Sequence, residues 1–304
     1  MSEFLFKKTL IIGVGLIGSS LARGLKNKKI SKIVIGYDKN QNNSKKCKKL
    51  KIVDSTINKL DIIDDFDLIM ICSPLGTYKN ILSKIVPNIK SKCIISDVGS
   101  TKLSVIKEFK KYQGNKFLEF VPCHPIAGLE KSGPEHGFEE LFKNRYCILT
   151  PLNKSSSGVK KMMKMWKKLN MKIEIMNADK HDRVLAMTSH IPQLIAYSIV
   201  STATDLEDKV KNEVIKYSAA GFRDFTRLAG SDPVMWRDIY SLNKNYVIEM
   251  LGRFSEDLST LQKAIRNNDT KLLEKIFKST RVLRKKIEKA GQAGSFDPRE
   301  LKKN

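Results

Sequence analysis

No run of about 18–20 uninterrupted apolar residues occurs in the 304-residue chain, so a membrane-spanning protein is not expected. Cysteine is sparse: Cys47, Cys72, Cys93, Cys123 and Cys147 form no CxxC pair. An odd number at wide spacing excludes a disulfide framework and a zinc site, and fits free thiols in a reducing compartment. There is no HExxH and no clustered set of Cys and His ligands, so no metal is expected. Acidic residues are outnumbered by basic ones, 32 to 56, which leaves a formal charge of +24. Such an excess raises a nucleic-acid-binding protein as a rival from another class. The basic residues are spread along the chain, with no interleaved aromatics and no recognisable binding module. No specific nucleic-acid partner is therefore expected, only weak retention of RNA that is lost at moderate salt.

What is present suits a folded two-domain protein: 41% hydrophobic and 29% charged residues over a length of about two ordinary domains. Lys7 and Lys8 before the apolar run from Leu10 to Gly18 imitate a signal peptide. Three glycines at fixed spacing within that run mark it instead as a first buried strand, and the protein is expected in the cytoplasm. Apolar strands (SKIVIGYD, FDLIMICSP, KCIISDVGS, EFVPCHPIAG, RYCILTP, MKIEIMN) alternate with helical patterns. In one of these, Val159, Met162, Met163, Trp166 and Leu169 share a face opposite five lysines and are expected in the core. The alternation predicts an α/β, Rossmann-type doubly wound sheet. After Asn177 the strand signal stops and the pattern turns helical. This places a nucleotide-binding domain at 1–177 and an all-helical domain at 178–304, with the tail from Gly291 poorly ordered.

The chemistry-bearing residues fall in five groups. Gly13, Gly15, Leu16, Ile17 and Gly18 belong to a GxGxxG that follows a strand and opens a helix. There glycine permits a tight turn and close backbone approach to a pyrophosphate at a helix N-terminus. Asp38, 20 residues past Gly18 and ending the second strand, suits a ribose hydroxyl and repels a 2′-phosphate, favouring NAD over NADP. Ser73 and Pro74 end the third strand and Ser100 follows the fourth, where open α/β sheets bind ligands. His124, held between Pro122 and Pro125, suits a proton acceptor on a stiff backbone, with Cys123 pointing away from it. His190, two residues before Pro192, is expected at a helix N-terminus facing the cleft, or as a buried structural residue. His181 and His136 read as structural or surface residues. Arg223 and Arg227, four apart with aromatics between, suit either an anionic ring compound or a salt-bridged helix.

Together IIGVGLIGSSLA, GYD, CSP, SDVGSTK, VPCHPIAGLEKSG, DRVLAMTSHIPQ and GFRDFTRLAGSDPVMWRDI resemble the prephenate dehydrogenase family, which includes arogenate and cyclohexadienyl dehydrogenases. The resemblance spans about residues 8 to 265. It implies an NAD-binding domain followed by a helical dimerisation domain, hence a homodimer acting on a small molecule without nucleic acid or membrane. It implies oxidative decarboxylation in tyrosine biosynthesis: prephenate gives 4-hydroxyphenylpyruvate, or arogenate gives tyrosine. His124 is then the group that takes the proton of the ring hydroxyl, so activity is expected to fall as pH drops through the histidine range. Arg227 is implied to bind a substrate carboxylate, Ser100 to lie near the nicotinamide and hydroxyl, and His190 to contact substrate. Glu130 and Asp179 are implied to shape the pocket, and Trp236 to approach the partner's site. Gln193 stands where many members of the family carry a second histidine. An appended regulatory domain is not expected. A β-hydroxyacid dehydrogenase, the rival within enzymes, would need a catalytic lysine where this chain reads HDRVLAMTSHIPQ.

Overall fold

The computed structural model describes residues 4–290 apart from 62–64, 90–92, 115, 117, 130 and 207. Glu130 and the tail from Gly291, both subjects of sequence expectations, lie outside the described residues.

Eight strands form one sheet: β1 (Phe6–Ile12), β2 (Ser31–Tyr37), β3 (Ser55–Thr56), β4 (Leu68–Ile71), β5 (Ile94–Asp97), β6 (Glu119–Pro125), β7 (Tyr146–Leu149) and β8 (Lys172–Ile175). Their order is β3-β2-β1-β4-β5-β6-β7-β8. All neighbouring pairs are parallel except β6 and β7, which run antiparallel with His124 opposite Ile148. The winding direction reverses between β1 and β4, so a crevice opens beyond the carboxyl ends of those two strands.

The strands read as continuous apolar runs because both faces of the sheet are covered. On one side Ile11 packs with Leu21 and Leu25 of α1 (Leu16–Asn27), with Cys47 of α2 (Gln41–Lys49), and with Met162 and Trp166 of α5 (Ser157–Lys168). On the other, Leu10 and Ile12 pack with Ile81 and Leu82 of α3 (Tyr78–Ile85) and Phe109 of α4 (Leu103–Gln113). Each such side chain contributes about 1.5–3 kcal/mol through burial. The expected stripe on α5 is core: Val159, Met162, Trp166 and Leu169 are buried and Met163 packs against them at the margin.

Helices follow β8: α6 (Ala178–Leu185), α7 (Ile191–Thr204), α8 (Asp208–Lys216), α9 (Ala220–Thr226), α10 (Pro233–Leu242), α11 (Lys244–Arg266) and α12 (Thr270–Lys289). Residues Ala186–His190 between α6 and α7 form a π-helical turn, so 178–204 is one unbroken helix. Pro192 has no N–H and its ring crowds the preceding carbonyls, and a widened turn is one way a helix absorbs that conflict. His190 therefore does not sit at a free helix N-terminus as expected from its nearness to Pro192; it ends a π turn in mid-helix.

This 27-residue helix reaches a mean hydropathy of 1.2 over 18 residues, which by length and composition alone is enough to cross a membrane. It holds no uninterrupted apolar run, since polar residues, His190 and Gln193 among them, break it. Those groups are engaged within the protein. Gln193 Nε2 donates to the Leu228 carbonyl at 2.6 Å, and Asn243 Nδ2 donates to His190 Nδ1 at 3.1 Å. Buried polar groups are hydrogen-bonded in this way, although only 33% of the 18-residue window is buried within the chain.

By contacts within the chain, the first compact unit runs to Lys244 and the second covers Asn245–Asn304. The sheet ends where the sequence places a boundary, near 178, but α6–α10 stay with the sheet. Asp182 of α6 explains part of this, since it accepts the backbone N–H groups of Lys102 and Leu103 at 2.7 and 2.9 Å. Within the second unit, Asp269 caps α12 by accepting the Leu272 N–H at 2.9 Å.

Candidate active site

The glycine turn after β1 is built by close approach. Gly13 has φ +93°, and a Cβ there would lie 2.8 Å from the Cys72 carbonyl at the end of β4. A Cβ on Gly18 would meet the Gly13 carbonyl oxygen at 1.9 Å, so only glycine lets α1 sit this close to β1. Gly15 is different: a Cβ there would meet nothing within 4 Å. It caps α1 with no side-chain hydrogen bond, and the first turn, which includes Leu16 and Ile17, carries no acidic residue. An open cradle at an unneutralised helix N-terminus fits the pyrophosphate of a dinucleotide. Asp38 just beyond β2 steadies the turn, its Oδ2 accepting the Val14 N–H at 3.0 Å and its Oδ1 the Asn40 N–H at 2.8 Å. Lone pairs remain on its half-buried carboxylate for a ribose hydroxyl.

Ser73 and Pro74 lie at the same edge of the sheet. The Ser73 hydroxyl accepts the Thr77 hydroxyl at 2.9 Å. Ser100 is half-buried past the end of β5, and its hydroxyl has no partner among the described residues.

Beside Ser100 lies a buried ion pair that sequence reasoning passed over. Lys102 Nζ is 2.6 Å from Asp97 Oδ2, both side chains are 0% exposed, and the ammonium also donates to the Cys123 carbonyl at 2.7 Å. Asp97 further accepts the Gly99 N–H at 2.8 Å, the Tyr78 hydroxyl at 3.3 Å and the Cys123 N–H at 3.3 Å. Burial, reinforced by Asp97, pushes the Tyr78 hydroxyl well above its ordinary range, so it remains a donor. The pair ties the loop after β5 to β6 at the residue before His124. Cys123 points away from the site as expected, its Sγ lying 3.4 Å from Ser96 Oγ within the buried core.

His124 itself is only 9% exposed. Its Nδ1 is 2.9 Å from His181 Nε2, and His181 Nδ1 is 2.7 Å from Asp182 Oδ1. Of the two expectations for His181, structural or surface, its burial excludes the second, and it touches His124 directly. The acid hydrogen-bonded into this chain of groups is Asp182; Asp179, in the first turn of α6, is exposed. Burial lowers the affinity of His124 for a proton well below its ordinary value of 6.5, and charge on His181, Lys102 or His190 would lower it further. His181 is depressed by burial against the opposing pull of Asp182. His190 is depressed to about 4, again chiefly by burial.

His190 is fully buried. The Asn243 amide donates to the Asp182 carbonyl at 2.9 Å as well as to His190 Nδ1, so the hydrogen of neutral His190 sits on Nε2. That Nε2 and the neighbouring Trp236 Nε1 are buried donors with no partner among the described residues. Their rings meet edge to face at 6.1 Å. Two orphaned donors side by side ask for an acceptor. Within the chain the Trp236 ring packs on His190, and its helix α10 is docked by Asp238 Oδ2, which accepts the Gly76 N–H at 3.1 Å in the loop after β4.

Arg227, itself exposed, opens a single half-buried turn, residues 227–230, after α9. That turn is pinned to α7 at two points: the Gln193 bond to the Leu228 carbonyl, and the Tyr197 hydroxyl donating to the Ser231 carbonyl at 2.9 Å. Gln193 is thus the residue that seats the turn carrying Arg227. No group of three or more potential metal ligands occurs among the described residues.

The family model for the nucleotide-binding domain of prephenate dehydrogenase matches residues 21–175, and the model for its dimerisation domain matches 177–279. A cyclohexadienyl dehydrogenase of Zymomonas mobilis is 36% identical over 92% of this chain and 95% of its own. A prephenate dehydrogenase of Lactococcus lactis is 30% identical over 93% of this chain and 78% of its own. Among solved structures, a prephenate dehydrogenase of Aquifex aeolicus in complex with hydroxyphenyl propionate and NAD+ superposes with a TM-score of 0.84 and 32% identity, covering 92% of this chain and 98% of that one. The strand order, the glycine turn and these matches over nearly the whole chain agree, and the chain belongs to the prephenate dehydrogenase family.

Proposed function

We propose that this protein is an NAD-dependent oxidoreductase that converts prephenate to 4-hydroxyphenylpyruvate and carbon dioxide. The observation that carries this reading is His124: a neutral, buried imidazole at a strand end, on the same sheet edge as the dinucleotide cradle. NAD, when bound, supplies the hydride acceptor. His124 takes the proton of the ring hydroxyl as the carbon bearing it gives up its hydride. The bond to the ring carboxylate breaks, carbon dioxide leaves, the ring becomes aromatic, and His124 returns the proton to the phenolate oxygen. Arg227 binds a carboxylate of the substrate. Ser100 and the orphaned donors of His190 and Trp236 complete its surroundings. Asp179, exposed in the first turn of α6, helps shape the pocket, as the resemblance implies.

The experiment is NADH formation with prephenate and arogenate offered separately. Turnover of prephenate alone supports the reading as stated. Turnover of both gives a cyclohexadienyl dehydrogenase, a second reading supported by the 36% identical relative of that name. Turnover of neither, with NAD bound, removes the chemistry and leaves the cofactor.

Two expectations follow from the site. Arg227→Ala raises the Michaelis constant for prephenate far more than that for NAD. Because Arg227 is exposed, the loss lies at the low end for a charged hydrogen-bonded pair, about 2 kcal/mol or about thirty-fold. An unchanged constant for prephenate removes Arg227 from this role. The second concerns acid. The sequence alone led to a fall in activity through the histidine range. His124, however, holds its proton more weakly than an ordinary histidine, and its neutral form is the active one. The acid limb of kcat/KM is therefore displaced below pH 6.5. A limb centred at the ordinary histidine value would contradict the buried, neutral base.

The working protein is proposed to be a cytoplasmic homodimer. Its dimerisation-domain match supports this, as do large apolar side chains left exposed on α12, including Phe277 at 57% and Leu283 at 60%. The five free cysteines agree with a reducing compartment.

A further inference from the structure

The hydrogen-bond chain from Asp182 to His124 settles more than the position of the base; it settles which nitrogen carries the proton. Asp182 is saturated with donors on its inner side. Its Oδ1 accepts the Lys102 N–H at 2.7 Å and its Oδ2 the Leu103 N–H at 2.9 Å. A carboxylate held this way is an acceptor, so His181 Nδ1, 2.7 Å from Oδ1, must carry a hydrogen. His181 is buried and neutral, with a single ring hydrogen, so its Nε2 is bare. The contact of 2.9 Å from that Nε2 to His124 Nδ1 is then a hydrogen bond only if His124 donates. Neutral His124 therefore keeps its hydrogen on Nδ1 and presents a bare Nε2.

We propose that His181 and Asp182 are a positioning pair that locks His124 into the tautomer with Nε2 free to accept the substrate proton. The pair touches neither substrate nor cofactor; it acts through His124. In water the opposite tautomer of histidine is favoured, and His124 in that form would meet a hydroxyl with a donor where an acceptor is needed. In a serine-protease triad, a wrong tautomer costs about 10⁴-fold in kcat. The proposal rests on His124 being the base, and the two ideas fail in different experiments.

The test begins with the protein alone. The chain has four histidines, so ¹⁵N-histidine labelling gives few signals, assigned by substituting His136, His181 and His190 in turn. For His124 the expected spectrum at neutral pH has a protonated Nδ1 and a pyridine-like Nε2. A protonated Nε2 on His124 in the unaltered protein overturns the proposal without any assay. His181→Leu is expected to move the hydrogen of His124 to Nε2. It is also expected to lower kcat about a hundred-fold or more, with the Michaelis constants for prephenate and NAD within a few-fold. In His181→Gln the amide oxygen can still accept from His124 Nδ1, so this variant recovers much of the lost rate. A His181→Leu protein with normal kcat and an unmoved proton also overturns the pair's role. Should His181→Leu not fold, the spectrum of the unaltered protein and the rate of His181→Gln still decide. Failure of the base reading itself shows elsewhere, as full turnover by a His124 variant whatever the tautomer.

Discussion

His124→Asn is expected to lower kcat by about 10²–10⁴-fold, the range spanned by a lost general base. Asparagine is the informative choice. Its amide can still donate towards His181 Nε2, now bonded at 2.9 Å, so the packing beside α6 is kept. It has nothing at the position of Nε2. The loss therefore falls on the chemical step, and the affinity for NAD, whose proposed cradle is the glycine turn after β1, stays near that of the parent. Single-turnover NADH formation under saturating substrate measures this directly. A variant within three-fold of the parent would falsify the assignment of His124 as the base.

Lys102→Met is expected to destabilise the fold by about 3–5 kcal/mol, because it leaves the Asp97 carboxylate buried without its cation. The geometry makes the effect large. Both side chains are shut off from water, and the ammonium also bridges to the Cys123 carbonyl on the neighbouring strand. Removing both charges together, as Lys102→Met with Asp97→Asn, restores much of the loss, since no uncompensated ion remains. Urea unfolding of the parent, the single variants and the double variant separates the two cases. A Lys102→Met protein with the parent's midpoint would show that water reaches Asp97, against its burial. Because the pair ends one residue before His124, activity in Lys102→Met should fall further than the folded fraction does.

What could be read from the sequence is what local chemistry dictates. Gly13 and Gly18 announce themselves because the backbone contacts they permit lie within one turn and one neighbouring strand. His124 stands out between prolines, and Asp38 ends a strand at the distance a ribose requires. The missed residues depend on partners far along the chain. Lys102 reads as one more lysine in a chain rich in them until the fold buries it against Asp97. His181 and Asp182 are separated by 57 and 80 residues from the groups they bond, His124 and the Lys102 N–H. The adjacency of histidine and aspartate in HDRVLAM, just upstream of SHIPQ, was the available signal. Gln193 looked like a lost histidine, whereas it holds the Leu228 carbonyl. In the sheet, β3 is two residues long and leaves no pattern, and the reversal of β7 against β6 is set by the chain's return path.

The π turn at Ala186–His190 also sets a phase. An α-helix advances about 100° per residue, so His181 and His190, nine residues apart, would stand about half a turn from each other on a regular helix. They would then face opposite sides. A π turn takes up one extra residue and removes about 100° of rotation, which leaves the two histidines about 80° apart, on the same half of the rod. The two halves of the helix then hold two different parts of the chain: α6 brings His181 to His124, and α7 brings Gln193 to the turn that carries Arg227. The register is counted in residues, not in distance. Deleting one residue between Ala186 and Ser189 would let the helix close into regular α geometry with the same phase. Inserting one would turn everything after it by roughly a further 100° around the helix axis.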